Sequence, residues 1–321
     1  MDYTIFYKEE LVEADISKQG WDVFISAYNI SDRVGNVFRA VSANNKYWLI
    51  QKDYDFEEAE LPNDGIRIYP DTYSEAKFAK EVVSEINIDQ LKGKSICIDI
   101  TGFIKPYMMS LLYLLRNKGC LKIDVLYSEP GAYVAKEKTK FSGTKISEIK
   151  QVAGFKGQHT SDTSNDYLIV GSGYDDNLIS HVAENKANTT KVQMFGFPSL
   201  RPDMYQENIL RAQQASETVD GDNLRNTKKI ILAPANDPFV TASELSSFYN
   251  KESKNKRITN LYLSPLATKP QALGFTLFYL TECKNKAVSM IYPFSYSHSK
   301  ETSEGLSRIW KYSLEFEETQ N

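Results

Sequence analysis

Residues 96–115 read ICIDITGFIKPYMMSLLYLL, and they predict a strand, a short loop and a helix in succession. The run Ile96–Ile100, apolar except for Asp99, is typical of a strand buried on both faces of a parallel sheet. Thr101 and Gly102 follow it as a loop. Proline suits the first turn of a helix, so Lys105-Pro106 predicts that a helix begins there. This order is that of a βαβ unit.

A second stretch repeats this pattern. Residues 260–279 read NLYLSPLATKPQALGFTLFY, and Lys269-Pro270 matches Lys105-Pro106 at an offset of 269 − 105 = 164. An earlier pair, DVFISAYNISDRVGNV at 22–37 and DYLIVGSGYDDNLISH at 166–181, has an offset of 166 − 22 = 144. The two pairs recur in the same order, with extra residues in the second half over Pro198–Glu217. The sequence therefore predicts an internal duplication.

Apolar runs predict nine strands in all. They are Val23–Ser26, Tyr47–Ile50, Ile96–Ile100, Ile123–Tyr127, Tyr167–Val170, Val192–Phe195, Ile230–Ala233, Leu261–Leu263 and Val288–Tyr292. Helical spacing favours helices at Tyr73–Ile86 and Tyr205–Ala215. The predicted fold class is α/β, with two tandem Rossmann-like domains whose sheets are mostly parallel and which are related by internal duplication.

The predicted domain limits follow from a composition change between the halves. Residues 1–135 form the first Rossmann-like half, and residues 136–164, rich in Lys, Gly, Ser and Thr, form a linker. Residues 165–321 form the second half. The segment Trp310–Phe316 alternates apolar and polar residues, which predicts an edge strand of that half.

Composition excludes several classes of protein. The chain has 321 residues, 41% of them hydrophobic, which excludes a wholly disordered chain, and its net charge of −4 gives no reason to expect nonspecific nucleic-acid or membrane binding. Its three cysteines are far apart and lack metal-ligand spacing. Neither a signal peptide nor a membrane-spanning run is legible. We therefore expect a cytoplasmic protein without a metal site or a cofactor.

The loops before the two Lys-Pro helices are the main candidate ligand site. Helix N-termini attract anions, Thr101 offers a hydroxyl, Gly102 permits close backbone approach and Lys105 brings a charge. The second copy offers Thr268 and Lys269, with Pro265-Leu266-Ala267 in place of Thr-Gly. The alternative is that each Lys-Pro pair only begins a helix.

Weaker candidates lie in three other loops. Ser26 ends the first predicted strand, and Gly171 and Gly173 permit a tight turn at the matching place in the second half. Arg201, between two prolines, could reach a phosphate or simply belong to a rigid connector. Asp175 or Asp176 is most simply the N-cap of the next helix. No catalytic order of Ser, His and Asp is legible, so no catalytic residue is predicted.

The segments Asp99–Leu115 and Ser264–Pro270 resemble the Thr-Gly-Gly-Thr-Lys motif of CRISPR-associated Rossmann-fold (CARF) sensor domains. In that family, two Rossmann-like domains pair about a pseudo-twofold axis, and a cyclic oligonucleotide lies across their strand ends. Half one has Phe103-Ile104 where the family has Gly-Thr, and half two lacks both glycines. The resemblance covers two short motifs and the order of the elements.

The resemblance implies a nucleotide-sensing protein in a bacterial antiviral signalling system. Its expected ligand is a cyclic oligonucleotide or another phosphate-bearing messenger, and a protein partner or effector is a further expectation. One alternative is a metal-independent phosphodiesterase, or a transferase, that uses the cleft between the halves. Another is a non-catalytic interaction subunit of a defence complex.

Overall fold

The computed structural model describes residues 2–91, 93–132, 148–173, 175–201, 206, 210, 229–255, 258–295, 297–300 and 304–317. The chain forms two compact units. The first unit comprises Phe6–Gly143 and Tyr296–Asn321, and the second comprises Met1–Ile5 and Thr144–Ser295. The chain therefore starts in the second unit and returns to the first for its last strand.

The first unit contains one mixed sheet. Its strands are β1 (Tyr7–Leu11), β2 (Gly20–Ala27), β3 (Ser42–Leu49), β4 (Ile66–Ile68), β5 (Ile96–Asp99), β6 (Lys122–Ala132) and β13 (Glu304–Glu315). Its helices are α1 (Glu13–Ile16), α2 (Asp32–Ala40), α3 (Glu75–Glu85) and α4 (Lys105–Asn117). The strand order is β4-β3-β2-β5-β6-β13-β1, with β2 to β6 parallel and the last two strands antiparallel to their neighbours.

The second unit contains the other sheet. Its strands are β7 (Glu148–Gln151), β8 (Tyr167–Gly171), β9 (Thr190–Gly196), β10 (Ile230–Ala233), β11 (Leu261–Pro265) and β12 (Val288–Phe294). Its helices are α5 (Asp176–Asn185), α6 (Pro238–Asn255) and α7 (Lys269–Phe278), and a π-helical turn continues α7 over Tyr279–Cys283. The strand order is β10-β9-β8-β11-β12-β7, parallel from β8 to β12, with β7 antiparallel.

Both sheets have the same order of parallel strands. Counted along the chain from β2 or from β8, the order is third, second, first, fourth, fifth, followed by an antiparallel strand beside the fifth. Each sheet therefore has one switch point, where successive connections leave in opposite directions. It lies between β2 and β5 in the first unit and between β8 and β11 in the second. Open parallel sheets bind ligands beyond the carboxyl ends of the strands at this point.

The central strands are apolar because both faces of these sheets are covered. All four residues of β5, all five of β8 and all seven of β12 are buried. Each predicted strand overlaps an observed strand, although β3 begins five residues before its predicted start and β6 ends five residues after its predicted end. Both Lys-Pro helices begin at the lysine. The predicted α/β class with mostly parallel sheets is confirmed.

The predicted position of the C-terminal strand was wrong. The segment is a strand, but β13 lies in the sheet of the first unit between β1 and β6, so both of its edges are hydrogen-bonded. Alternation of apolar and polar residues reports which face of a strand is buried. It does not report which sheet the strand joins or how many neighbours it has.

The predicted linker also differs from the structure. Residues 148–151 form β7, which pairs with β12 and so belongs to the second unit. Residues 136–147 of the predicted linker lie outside the described residues. So does the predicted helix Tyr205–Ala215, apart from two helical positions at 206 and 210. Among the described helices, none combines the length and apolar character needed to cross a membrane.

Candidate functional site

The predicted ligand-binding residues, apart from Arg201, lie in the loops beside the two switch points. In the first unit, Ser26 lies near the end of β2, and Thr101, Gly102 and Lys105 follow β5. In the second unit, Gly171 ends β8 and Gly173 follows it. Thr268 and Lys269 follow β11 and begin α7. Each unit thus brings its own predicted residues to the edge of the sheet where this topology binds ligands.

A buried polar network joins the strand ends of the first unit. Ser26 and Asp99 are register partners at the carboxyl ends of β2 and β5. The Ser26 hydroxyl donates to Asp99 Oδ2 at 3.1 Å, and the Thr101 amide donates to Asp99 Oδ1 at 2.9 Å. Thr101 Oγ1 in turn accepts from the amide of Ser128 in β6 at 2.9 Å. The network fixes the loop after β5 against both neighbouring strands.

Arg33 completes this network, although the sequence did not identify it. It is the second residue of α2, only 7% exposed, and its Nη1 donates to the Ser128 carbonyl. Its guanidinium therefore lies beside the loop that follows β5. A signal existed in the sequence, because Arg33 occupies the first turn of the helix after β2. An arginine beside Asp32 is also ordinary at a solvated helix start.

Burial has the largest effect on the ionisation of Asp99. Burial raises the pKa of Asp99, while the hydrogen bonds from Thr101 and Ser26 and the nearby charge of Arg33 act in the opposite direction. A buried arginine therefore faces a buried carboxyl group whose ionisation is disfavoured. Such an arrangement suits an incoming anion better than a fully ionised pair would.

The loop after β3 contributes a second buried group of polar side chains. Gln51 is fully buried, and its Oε1 accepts from the amide of Ile104 at 3.2 Å. Asp53 accepts from the Tyr107 hydroxyl at 2.6 Å, and burial raises the pKa of Asp53 to about 6 despite that bond. Tyr54, also buried, donates to the Gly102 carbonyl at 3.3 Å. These contacts hold the start of α4 in place.

The segment 297–300 covers this part of the first unit. The amide of His298 donates to the Asp53 carbonyl at 3.1 Å, and Asn29 Nδ2 donates to the Lys300 carbonyl at 3.2 Å. Lys300 also forms an ion pair with Glu60, with Nζ and Oε2 2.7 Å apart. The chain thus packs its own backbone over the loops that follow β2 and β3.

Gly102 makes its close backbone approach to the protein itself. A Cβ at this position would lie 1.9 Å from the carbonyl oxygen of Ala27, the last residue of β2. Thr101 and Gly102 are buried, whereas Lys105 is half-buried at the start of α4. The glycine therefore lets the two switch-point loops meet.

The second unit has an equivalent contact with the glycine in the other loop. A Cβ on Gly173 would lie 2.6 Å from the carbonyl oxygen of Leu266, and a Cβ on Gly171 would lie 3.3 Å from the ring of Phe275. Thr268 is the N-cap of α7, and its hydroxyl accepts from the amide of Gln271 at 3.3 Å. Lys269, the first residue of α7, is half-buried.

Four buried polar atoms near the strand ends have no hydrogen-bond partner in the described chain. They are Arg33 Nε, Gln51 Nε2, Ser128 Oγ and Ser264 Oγ, and Arg116 Nε at the far end of α4 is the other such atom found. Native proteins pair most buried polar groups, so an unpaired one suggests a bound ligand or water. Three of the four lie in the first unit and one in the second.

Arg201 and Asp175 stand apart from these contacts. Arg201 is exposed at the end of the loop after β9, and its carbonyl accepts from the Ser199 hydroxyl. The neighbouring residues 202–205 lie outside the described chain. Asp175 is the N-cap of α5, as the sequence suggested, and accepts from the amide of Leu178 at 3.3 Å.

His159, Ser289 and Asn260 form a network in the second unit that has the order of a catalytic triad. His159 Nε2 contacts Ser289 Oγ, and its Nδ1 lies 3.0 Å from Asn260 Oδ1. However, Ser289 is fully buried, and its Oγ already accepts from the Gly157 amide at 2.8 Å. A nucleophile needs an open path to its substrate. We assign this network to holding the 157–160 segment against the sheet.

Comparison with protein-family models, with curated proteins and with solved structures finds no match for this chain. Arguments about function therefore depend on the geometry of the two switch points and on the motif resemblance. Among the described residues, no group of His, Cys, Asp or Glu side chains is arranged to hold a metal ion.

Proposed function

We propose that this protein is a nucleotide-sensing protein that binds a cyclic oligonucleotide or another phosphate-bearing messenger. The observation that carries the proposal is positional. In both units, a Lys-Pro helix and a small-residue loop meet at the switch point of a sheet with the same strand order. The resemblance of these loops to the CARF motif supports the same class of ligand.

We also propose that the two units arose by an internal duplication. The shared strand order, the matched helix starts and the matched close loop contact support an internal duplication. Under this proposal, each unit retains the ancestral ligand-binding edge. Lys105 and Lys269 occupy matching positions, so they would play matching roles.

The test is binding of cyclic oligoadenylates of three, four and six nucleotides, measured by isothermal titration calorimetry. A charge-assisted hydrogen bond contributes about 1.5–3 kcal/mol, and about 1.4 kcal/mol is tenfold in affinity. We therefore expect Lys105→Ala and Lys269→Ala each to weaken binding roughly ten- to hundredfold. Lys118→Ala, at the other end of α4, and exposed Lys284→Ala are matched controls that should bind as the wild type does.

The same samples separate sensing from catalysis. Chromatography of the nucleotide after incubation detects a linear product if the protein is a phosphodiesterase. An intact nucleotide with measurable affinity supports sensing. Undetectable binding of all three nucleotides would contradict recognition of a cyclic oligoadenylate. Unchanged affinity of the Lys105→Ala, Lys269→Ala double variant would contradict the proposed role of the lysines.

A second candidate function is a non-catalytic interaction subunit. One observation favours it, namely that the chain's own backbone fills the space beside Gly102 and Gly173. Under this candidate, no cyclic oligonucleotide binds, and the switch-point loops only pack against each other. The titration above therefore decides between the two.

A further inference from the structure

Two of the unpaired buried atoms in the first unit belong to residues in direct contact. Arg33 Nη1 donates to the Ser128 carbonyl, whereas Arg33 Nε and Ser128 Oγ have no partner in the described chain. Arg33 is 7% exposed and Ser128 is fully buried, so bulk solvent does not readily compensate these donors. An unsatisfied buried donor is costly, and more so when it belongs to a charged group.

The edge of the Arg33 guanidinium that includes Nε is suited to binding an oxyanion. When one terminal nitrogen is bound to a carbonyl, the edge that includes Nε remains the one that pairs with carboxylates and phosphates. The Ser128 hydroxyl can donate a further hydrogen bond to the same acceptor. An oxyanion would satisfy both donors at once.

The charges around this point also favour an anion. Arg33 lies in the first turn of α2, a helix of nine residues, whose N-terminus is electropositive. Asp32 lies in the same turn, and Asp99 is the buried acidic group that senses the charge of Arg33. Burial raises the pKa of Asp99 and that of Tyr54, which also senses this charge. Burial therefore disfavours the negative form of both of these groups.

We propose that the first unit binds an oxyanion, the phosphate group of its ligand, between the Arg33 guanidinium and the Ser128 hydroxyl. The proposal deepens the proposed function and rests on it for the identity of the ligand. It adds a phosphate contact at the start of α2 to the one proposed for Lys105. Arg33 would bind the charge, and Ser128 would orient it.

The test uses inorganic phosphate as the probe, titrated into the full chain and followed by calorimetry and by the thermal unfolding midpoint. We expect Arg33→Gln to weaken phosphate binding about ten- to hundredfold. Arg39→Gln is the matched control on the same helix, because Arg39 is exposed and contacts Asn36. It should bind phosphate as the wild type does.

Ser128→Ala keeps the test decisive if Arg33→Gln does not fold. The hydroxyl has no partner in the described chain, so its removal should leave the unfolding midpoint without phosphate unchanged or higher. Phosphate affinity should nevertheless fall about fivefold. No phosphate binding by the wild type, or equal binding by wild type and Ser128→Ala, would overturn the proposal.

The outcomes also separate this inference from the proposed function. Phosphate binding that depends on Arg33, without binding of any cyclic oligoadenylate, would support the anion site and contradict nucleotide sensing. Binding of a cyclic oligoadenylate that is insensitive to both Arg33→Gln and Ser128→Ala would support nucleotide sensing and contradict the anion site at Arg33.

Discussion

Gly102→Ala should destabilise the first unit strongly. The new Cβ would lie 1.9 Å from the Ala27 carbonyl oxygen, whereas ordinary van der Waals contact begins at 3.4 Å. One of the two loops must therefore move by 3.4 − 1.9 = 1.5 Å. The obstructing atom belongs to the backbone of β2, which is hydrogen-bonded to strands on both sides, so it cannot simply rotate away.

The expected cost follows from this displacement. Overpacking a filled site costs about 1–3 kcal/mol, and a forced backbone shift lies at the upper end, so we expect about 3 kcal/mol. For a unit of this size that corresponds to a decrease of roughly 6–12 °C in the unfolding midpoint. Urea unfolding followed by circular dichroism measures the free energy, and calorimetry measures the midpoint.

Gly20→Ala is the matched control for this experiment. Gly20 begins β2 and is exposed, and a Cβ added to it would have no atom within 4 Å. Its substitution should change the free energy of unfolding by no more than about 0.5 kcal/mol. Equal stabilities of Gly102→Ala and Gly20→Ala would refute the argument that the loops meet through Gly102.

Two further predictions concern ionisation. The folded-state pKa of Asp53, about 6, exceeds its usual 3.8, so the folded protein holds this proton more tightly and loses about 3 kcal/mol of stability as pH rises through that interval. The Asp53→Asn variant should lack this loss. Between pH 4 and pH 7, the free energy of urea unfolding should therefore fall by about 2.4 kcal/mol more in the wild type than in the variant. Equal changes in the two proteins would contradict the burial argument. The three thiols are at most 5% exposed, and burial raises the pKa of Cys97 and of Cys283, so a disulfide reagent should modify them only as the protein unfolds. Rapid modification of the native protein would contradict this.

The sequence predicted the central strands because burial on both faces leaves a mainly apolar run. ICID in β5, polar only at Asp99, and YLIVG in β8 are examples, and each is followed by small residues and a helix. It did not predict three edge strands, β1 (YKEEL), β4 (IRI) and β7 (EIKQ), which are short and partly exposed. A short strand at a sheet edge is not covered on both sides, so it needs no long apolar run.

The sequence predicted which loops form the candidate site better than it predicted which side chains take part in it. The loops that hold Thr101, Lys105, Thr268 and Lys269 do lie at the switch points, because the end of a parallel strand and the start of the next helix are adjacent in sequence. Arg33 could not be identified in this way. Its contact with Ser128 joins residues 95 positions apart, and that contact depends on how α2 crosses the sheet.

The two glycine contacts change how the second motif should be interpreted. Compared loop by loop, Ser264–Pro270 lacks the Thr-Gly pair of Thr101-Gly102. In the structure, the second unit has a close contact whose glycine lies in the other loop, as Gly173 against the Leu266 carbonyl. Two loops can approach closely whichever of them supplies the residue without a side chain. The absence of a glycine from Ser264–Pro270 is therefore not evidence against a ligand in the second unit, and Lys269 should be tested on equal terms with Lys105.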